Sequence, residues 1–154
     1  MTSVTNAIKH FSAAELGCKH CGMIRMHPSF AEELPALREA WGQPLAVNSV
    51  CRCKEHNDRP ANQGGAGGNS RSLHVCDKPH HPTQGTMAAD IRWRGLPLVK
   101  QLKFARLAWS RGWSVGLHNG FCHVDRRIDI GMRQAVFLYG TWSGAFAPQD
   151  VING

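Results

Sequence analysis

The chain has 154 residues, 42% hydrophobic and 19% charged, with a formal net charge of +7 and a pI near 9.5. This length and composition describe one globular domain with a real core and exclude a disordered chain, and no run approaches the ~18 apolar residues of a membrane span. The basic residues are scattered, without RRM, helix-turn-helix or zinc-finger spacing, so they describe a generally basic surface rather than a specific nucleic-acid groove. Residues 1–16 lack a basic segment followed by an apolar one, which predicts synthesis in the cytoplasm without a Sec signal.

In chain order, Ser12-Ala-Ala-Glu15 is a capping box with Phe11 as its staple residue, so a short helix begins near residue 13 and ends at Gly17. Ser29-Phe-Ala-Glu32 is a second capping box. It opens a helix to about Trp41 that carries Phe30, Leu34, Leu37 and Trp41 on one face, contains Pro35 as a kink signal, and stops at Gly42. Leu45–Val50 is β-rich. Residues 58–71 are rich in Gly, Asn and Arg and form a loop, and residues 72–81 are irregular, broken by Pro79 and Pro82.

Met87–Trp93 is the next strand. Pro97 suits N1 of a helix running to about Ser110, with Leu98, Leu102, Ala105 and Trp109 facing the core, closed by Gly112. Trp113–His118 and Phe121–Arg127 read as a hairpin with Asn119-Gly120 in a type I′ turn. Residues 135–139 add an edge strand, and the tail after Gly144 has no predicted structure. The expected architecture is a single α+β domain over 1–154, core about 11–140, with helices packed on a mostly antiparallel sheet.

Six cysteines stand at 18, 21, 51, 53, 76 and 122. Cys18 and Cys21 have CxxC spacing, and Cys51 with Cys53 offers a second pair. The four would make a structural zinc site, set against buried, packed thiols as the blander reading. His74, Asp90 and His123 are the residue types of an open catalytic zinc site, but fifteen residues separate the first two, so spacing alone makes no motif.

The order of blocks is more specific. FSAAELGCKHCG, LREAWGQPLAVNSVCRCKEHN, a Gly-rich loop, SLH, GTMAAD and FCHVDRR together resemble the M15 family of zinc peptidases from about Phe11 to Arg127. That family includes D-Ala-D-Ala carboxypeptidases and phage endolysins, with a metal site of the hedgehog and LAS type. The resemblance implies one catalytic zinc held by His74, Asp90 and His123, with Arg52 holding substrate or a developing oxyanion. Ser72 either contacts substrate or holds its loop. It further implies a monomer acting on peptidoglycan, in the periplasm or cell wall during phage lysis.

Two departures stand out. Residues 75–86 lengthen the gap between His74 and Asp90, with Thr86 where relatives carry Gly; they read as a loop inserted over the cleft, with His80 and His81 as stray ligands or plain loop histidines. Relatives also carry an acid three residues before the last His ligand, where this chain has Gly120. The general base is then His118 or Asp125, the latter alternatively orienting a ligand. The rival readings are a non-catalytic zinc-stabilised wall-binding or virion module and, third, a nucleic-acid binder.

Overall fold

The computed structural model describes residues 3–69, 71–77 and 85–154. The first helix, α1 (Ala13–Leu16), forms where the capping box predicts. The Ser12 hydroxyl accepts the Glu15 amide, the Glu15 carboxylate accepts the Ser12 amide, and Leu16 is fully buried. Helix α2 (Pro28–Trp41) begins earlier than the Ser29 box implies. His27 is its N-cap, with Nδ1 accepting the Ser29 amide at 3.1 Å, and Pro28 takes the first turn, where no N–H is needed. The helix continues through Pro35 and ends at Gly42 in the left-handed conformation, φ 79°. Phe30, Leu34 and Leu37 are buried and Trp41 half-buried, as the periodicity predicts.

Strand β1 (Val47–Ser49) leads to the short helix α3 (Lys54–Asp58), capped by Cys53. Strand β2 (Ala88–Arg92) precedes α4 (Leu98–Ser110), in which Pro97 is the N-cap rather than the first helical residue. The buried face of α4 is Gln101, Phe104, Ala105 and Ala108, rotated from the expected one, and Leu98 is exposed. Gln101 tolerates burial because its side-chain amide donates to the carbonyls of Trp93 and Leu96, each at 3.1 Å.

Strands β3 (Ser114–Leu117) and β4 (Phe121–Asp125) form the expected hairpin. Its turn is not type I′, since that turn needs positive φ at both central residues and neither Asn119 nor Gly120 has it. Instead the Gly120 amide donates to His118 Nδ1 at 2.9 Å, and the Asn119 side chain clamps the chain ahead, bonding the Thr141 carbonyl and the Ser143 amide. Strand β5 (Val136–Leu138) is the edge. The expected loose tail carries a helix, α5 (Pro148–Ile152), which buries Val151 beside α4, with Phe146 closing on Trp93 and Trp142.

The sheet order is β1-β2-β4-β3-β5, antiparallel except for the β3–β5 pair, so the α+β architecture with a mostly antiparallel sheet holds. Alternation gives the sheet two unlike faces. Ala89, Ile91, Cys122, Val124, Val115 and Leu117 enter the core with Phe30 and Trp113, whose rings meet edge-on at 5.9 Å. The opposite face carries a row of directly paired residues, Ser49, Asp90, His123, Gly116 and Phe137, one from each strand.

Candidate metal centre

Asp90 and His123 are cross-strand partners in the middle of that row, so the register alone brings their side chains together. His74 comes from a loop. Its Nδ1 lies 2.9 Å from the Val50 carbonyl, and its backbone carbonyl accepts the Arg52 amide at 3.0 Å, so the loop is sewn to the segment after β1. The Thr86 hydroxyl sits between the carbonyls of Val50 and Leu73, at 3.1 and 3.2 Å, and holds the same strands of chain from below. Thr86 is thus a fully buried tether.

Asp90 Oδ1 stands 3.1 Å from His74 Nε2 and 3.1 Å from His123 Nδ1. Nitrogen and oxygen donors sharing one tetrahedral ion would stand about 3.3 Å apart, so Asp90 already has that spacing to both imidazoles, and all three atoms lie within 4.8 Å of one another. Each imidazole also has its outward nitrogen engaged: His74 Nδ1 on Val50, and His123 Nε2 on Asp125 Oδ2 at 2.8 Å. That fixes the tautomers that aim His74 Nε2 and His123 Nδ1 inward, as metal ligation requires. The donor set fits zinc.

The electrostatics are those of the metal-free centre, in which a proton on His123 takes the place of a cation. Burial pushes His74 below the ordinary histidine value in spite of Asp90, which leaves it neutral. Burial works against the Asp90 charge, but His74 and His123 outweigh it and hold the carboxyl well below the usual range. For His123 burial again favours the neutral form, yet bonds to Asp125 and Asp90 raise it to about 9. Asp125 is fully buried and is held at about 2, burial being offset by Arg127 and His123. Arg127 grips it through Nε and a terminal nitrogen at 2.9 and 2.8 Å.

The centre lies in a cleft of about 590 Å³. Arg52 borders it, held by Asn57 Oδ1 at 3.1 Å and Ser49 Oγ at 3.2 Å, with a terminal nitrogen 3.8 Å from Asp90 Oδ2. Ser72 lines the cleft too, and its hydroxyl accepts the His74 amide at 3.3 Å, so its visible work is to hold the loop. His118 is not among the cleft residues. It stacks on Phe121 at 4.2 Å and lines a separate surface hollow with Arg92 and Arg94. His80 and His81, and most of the proposed inserted loop, lie outside the described residues.

A family model described as Peptidase M15 matches residues 3–125. The chain belongs to the peptidase M15 family. No curated protein and no solved structure matches it. M15 membership implies a zinc-dependent metallopeptidase and points to peptidoglycan-like substrates.

The M15 chain also places residues in its cleft that sequence reasoning did not single out. Arg71 and Arg127 join Arg52, giving three guanidinium groups against two carboxylates that are both engaged. Phe137 packs on the His123 ring at 5.4 Å. Tyr139, the single tyrosine of the chain, lines the same wall; burial and the Asp90 charge raise its phenol well above the usual value. Arg127 was within reach, since it follows Asp125 by two residues in the HVDRR block. Tyr139 carried no signal, because its place depends on β5 pairing with β3 across a long connection.

Proposed function

We propose that this protein is a zinc-dependent peptidase that hydrolyses a peptide bond in peptidoglycan stem peptides, in the manner of a phage endolysin. A D-Ala-D-Ala carboxypeptidase is the nearest variant of the same chemistry. The observation that carries the reading is the convergence of His74 Nε2, Asp90 Oδ1 and His123 Nδ1, with both outward imidazole nitrogens already engaged. Zinc bound there supplies Lewis acidity and lowers the pKa of water from 15.7 toward about 7.

The protein's own groups do the rest. Asp125 holds the His123 ring in its ligating tautomer, and Arg127 keeps Asp125 ionised. Of the two candidates for the base, Asp125 is the one in contact with the centre, and its full burial and engaged oxygens suit it to positioning. Arg52, pinned by Asn57 and Ser49, presents its fork to a substrate carboxylate or to charge developing on the scissile oxygen. Tyr139 stays protonated at neutral pH and lines the same cleft, where its hydroxyl is a donor for substrate. Three arginines suit an anionic stem peptide, and the reading places its site of action at the cell wall, reached during phage lysis.

A non-catalytic wall-binding module is favoured by one observation: among the described cleft residues the only carboxylates are Asp90 and Asp125, both engaged, and position 120 is glycine. Zinc analysis with muropeptide digestion separates the two. A fragment released by the wild type and not by His123→Ala supports the peptidase. A loaded centre with intact muropeptides supports the binding module.

A further inference from the structure

The six cysteines sort into groups that their spacing does not predict. Cys51 turns away from Cys53 and shares hydrogen bonds with Cys76 and the backbone of Arg25. Cys76 in turn meets Met23 and points into the core. Cys18, Cys21 and Cys53 instead gather on the other side of the segment, with their sulfurs within 4.8 Å of one another.

The local backbone is shaped around these sulfurs. The Cys53 amide donates to Cys18 Sγ at 3.3 Å, and the amides of Cys21 and His20 also bond the Cys18 sulfur. The His56 amide donates to Cys53 Sγ at 3.4 Å. Gly22 follows Cys21 at φ 75°, turning the chain back so that the Cys18 amide bonds the Met23 carbonyl at 2.9 Å. The three amides converging on the Cys18 sulfur favour its thiolate, the form that binds metal. His20 Nδ1 stands 3.6 Å from Cys53 Sγ, and its ring stacks on His56 at 6.0 Å. With zinc–sulfur and zinc–nitrogen bonds of roughly 2.3 and 2.0–2.1 Å, a sulfur and a nitrogen on one tetrahedral ion would be about 3.6 Å apart.

We propose that Cys18, Cys21 and Cys53 hold a second zinc ion, closed and structural and separate from the His74 centre, with His20, whose ring contacts only Cys53 of the three in the metal-free protein, turning in as its fourth ligand. Four protein ligands leave it no open position for substrate. Its role follows from where Cys53 sits. The thiol caps α3, the helix that supplies Asn57 to Arg52, and Arg52 is the preceding residue. The site therefore fastens the Arg52 segment to the loop after α1, a join otherwise made by few bonds, among them the Cys51 amide to the Leu16 carbonyl at 3.1 Å.

Cobalt substitution of the full chain tests this without relying on activity. The His74 centre has no sulfur, so near-ultraviolet sulfur-to-cobalt charge-transfer absorption reports the second site alone. Reduced, metal-stripped wild type should develop that band, and the purified protein should contain one zinc more than Cys53→Ser. The band should persist in His123→Ala, which keeps this test independent of the peptidase reading, and vanish in Cys53→Ser. His20→Ala should weaken cobalt binding by at least the roughly tenfold that even an outer-shell partner costs. A wild type that binds cobalt without the band overturns the site, and a loss confined to His56→Ala overturns His20 as its fourth ligand.

Discussion

Asp125 Oδ2 lies 2.8 Å from His123 Nε2, while both oxygens of the same carboxylate are gripped by Arg127. Because the two residues are two apart on β4, their side chains share a face, and the pair forms wherever the strand does. The proposed metal centre thus depends on a residue that never touches the metal.

Replacing Asp125 by Asn keeps the shape but removes the charge that holds His123 Nε2–H. Zinc affinity should fall by about 10–100-fold, measured by competition with a chelator. Asp125→Ala also strands the Arg127 guanidinium and should cost about 3–5 kcal/mol in denaturant unfolding. Unchanged zinc affinity in Asp125→Asn would remove Asp125 from the centre.

The pH dependence follows from His123. Its pKa is raised from 6.5 to about 9, so its protonated form stabilises the metal-free protein. That contribution is complete below pH about 6.5 and is lost as pH rises through about 9. Zinc needs the neutral ring, so it competes with this proton. Apparent zinc affinity should therefore climb about tenfold per pH unit across the same window, while the thermal stability of the metal-free protein declines. Calorimetry in buffers of different ionisation enthalpy should detect the released proton; its absence would contradict the assignment.

Gly68 lies where a Cβ would stand 2.4 Å from Asn57 Oδ1 and 2.8 Å from an Arg52 terminal nitrogen. Gly68→Ala should displace the Arg52 fork and leave zinc binding intact. Muropeptide turnover should drop by about 10²-fold, the scale of a misplaced catalytic group. Equal turnover in the variant would show that Arg52 is not used.

Gly116 pairs directly with His123 and with Phe137, and a Cβ on it would meet the Phe137 ring at 2.6 Å. The missing side chain lets Phe137 and Tyr139 lean over the centre. Gly116→Ala should cost about 1–3 kcal/mol by overpacking, read from thermal or denaturant unfolding. No loss of stability would mean that β5 gives way freely.

Tyr139 can be followed by ultraviolet absorption because no other tyrosine is present. Burial and Asp90 raise its pKa, so its ionisation should appear well above the ordinary value of about 10. Tyr139→Phe should keep zinc and lose about 10²–10³ in turnover, the cost of one oxyanion donor. An ordinary titration curve would place the phenol in solvent and out of the chemistry.

Local rules made much of the fold readable in advance. The Ser12–Glu15 box, the apolar spacing of Phe30, Leu34 and Leu37, and the glycine at position 42 each act within a turn or two of chain, so the sequence determined α1 and α2 almost alone. The strand pattern around Asp90 and His123 was equally legible, because alternation assigns a face as soon as a strand is recognised. The block order from Phe11 to Arg127 determined the family.

Tertiary structure decided what depends on partners distant in the chain. The buried face of α4 turned to Gln101 because the carbonyls of Trp93 and Leu96 were there to satisfy it. The Asn119-Gly120 turn departed from type I′ while the Asn119 side chain bonded a loop more than twenty residues ahead. Cys51 and Cys53, two residues apart, found different partners, Cys51 with Cys76 and the Arg25 backbone and Cys53 with Cys18 and Cys21, because a different remote segment packs against each. His118 shared a hairpin with His123 but was held beyond Phe121 by ring stacking. Tyr139 entered the cleft only because β5 closed beside β3 over Gly116. Sequence spacing specifies which residues can face one way; packing of remote segments chooses which of them meet.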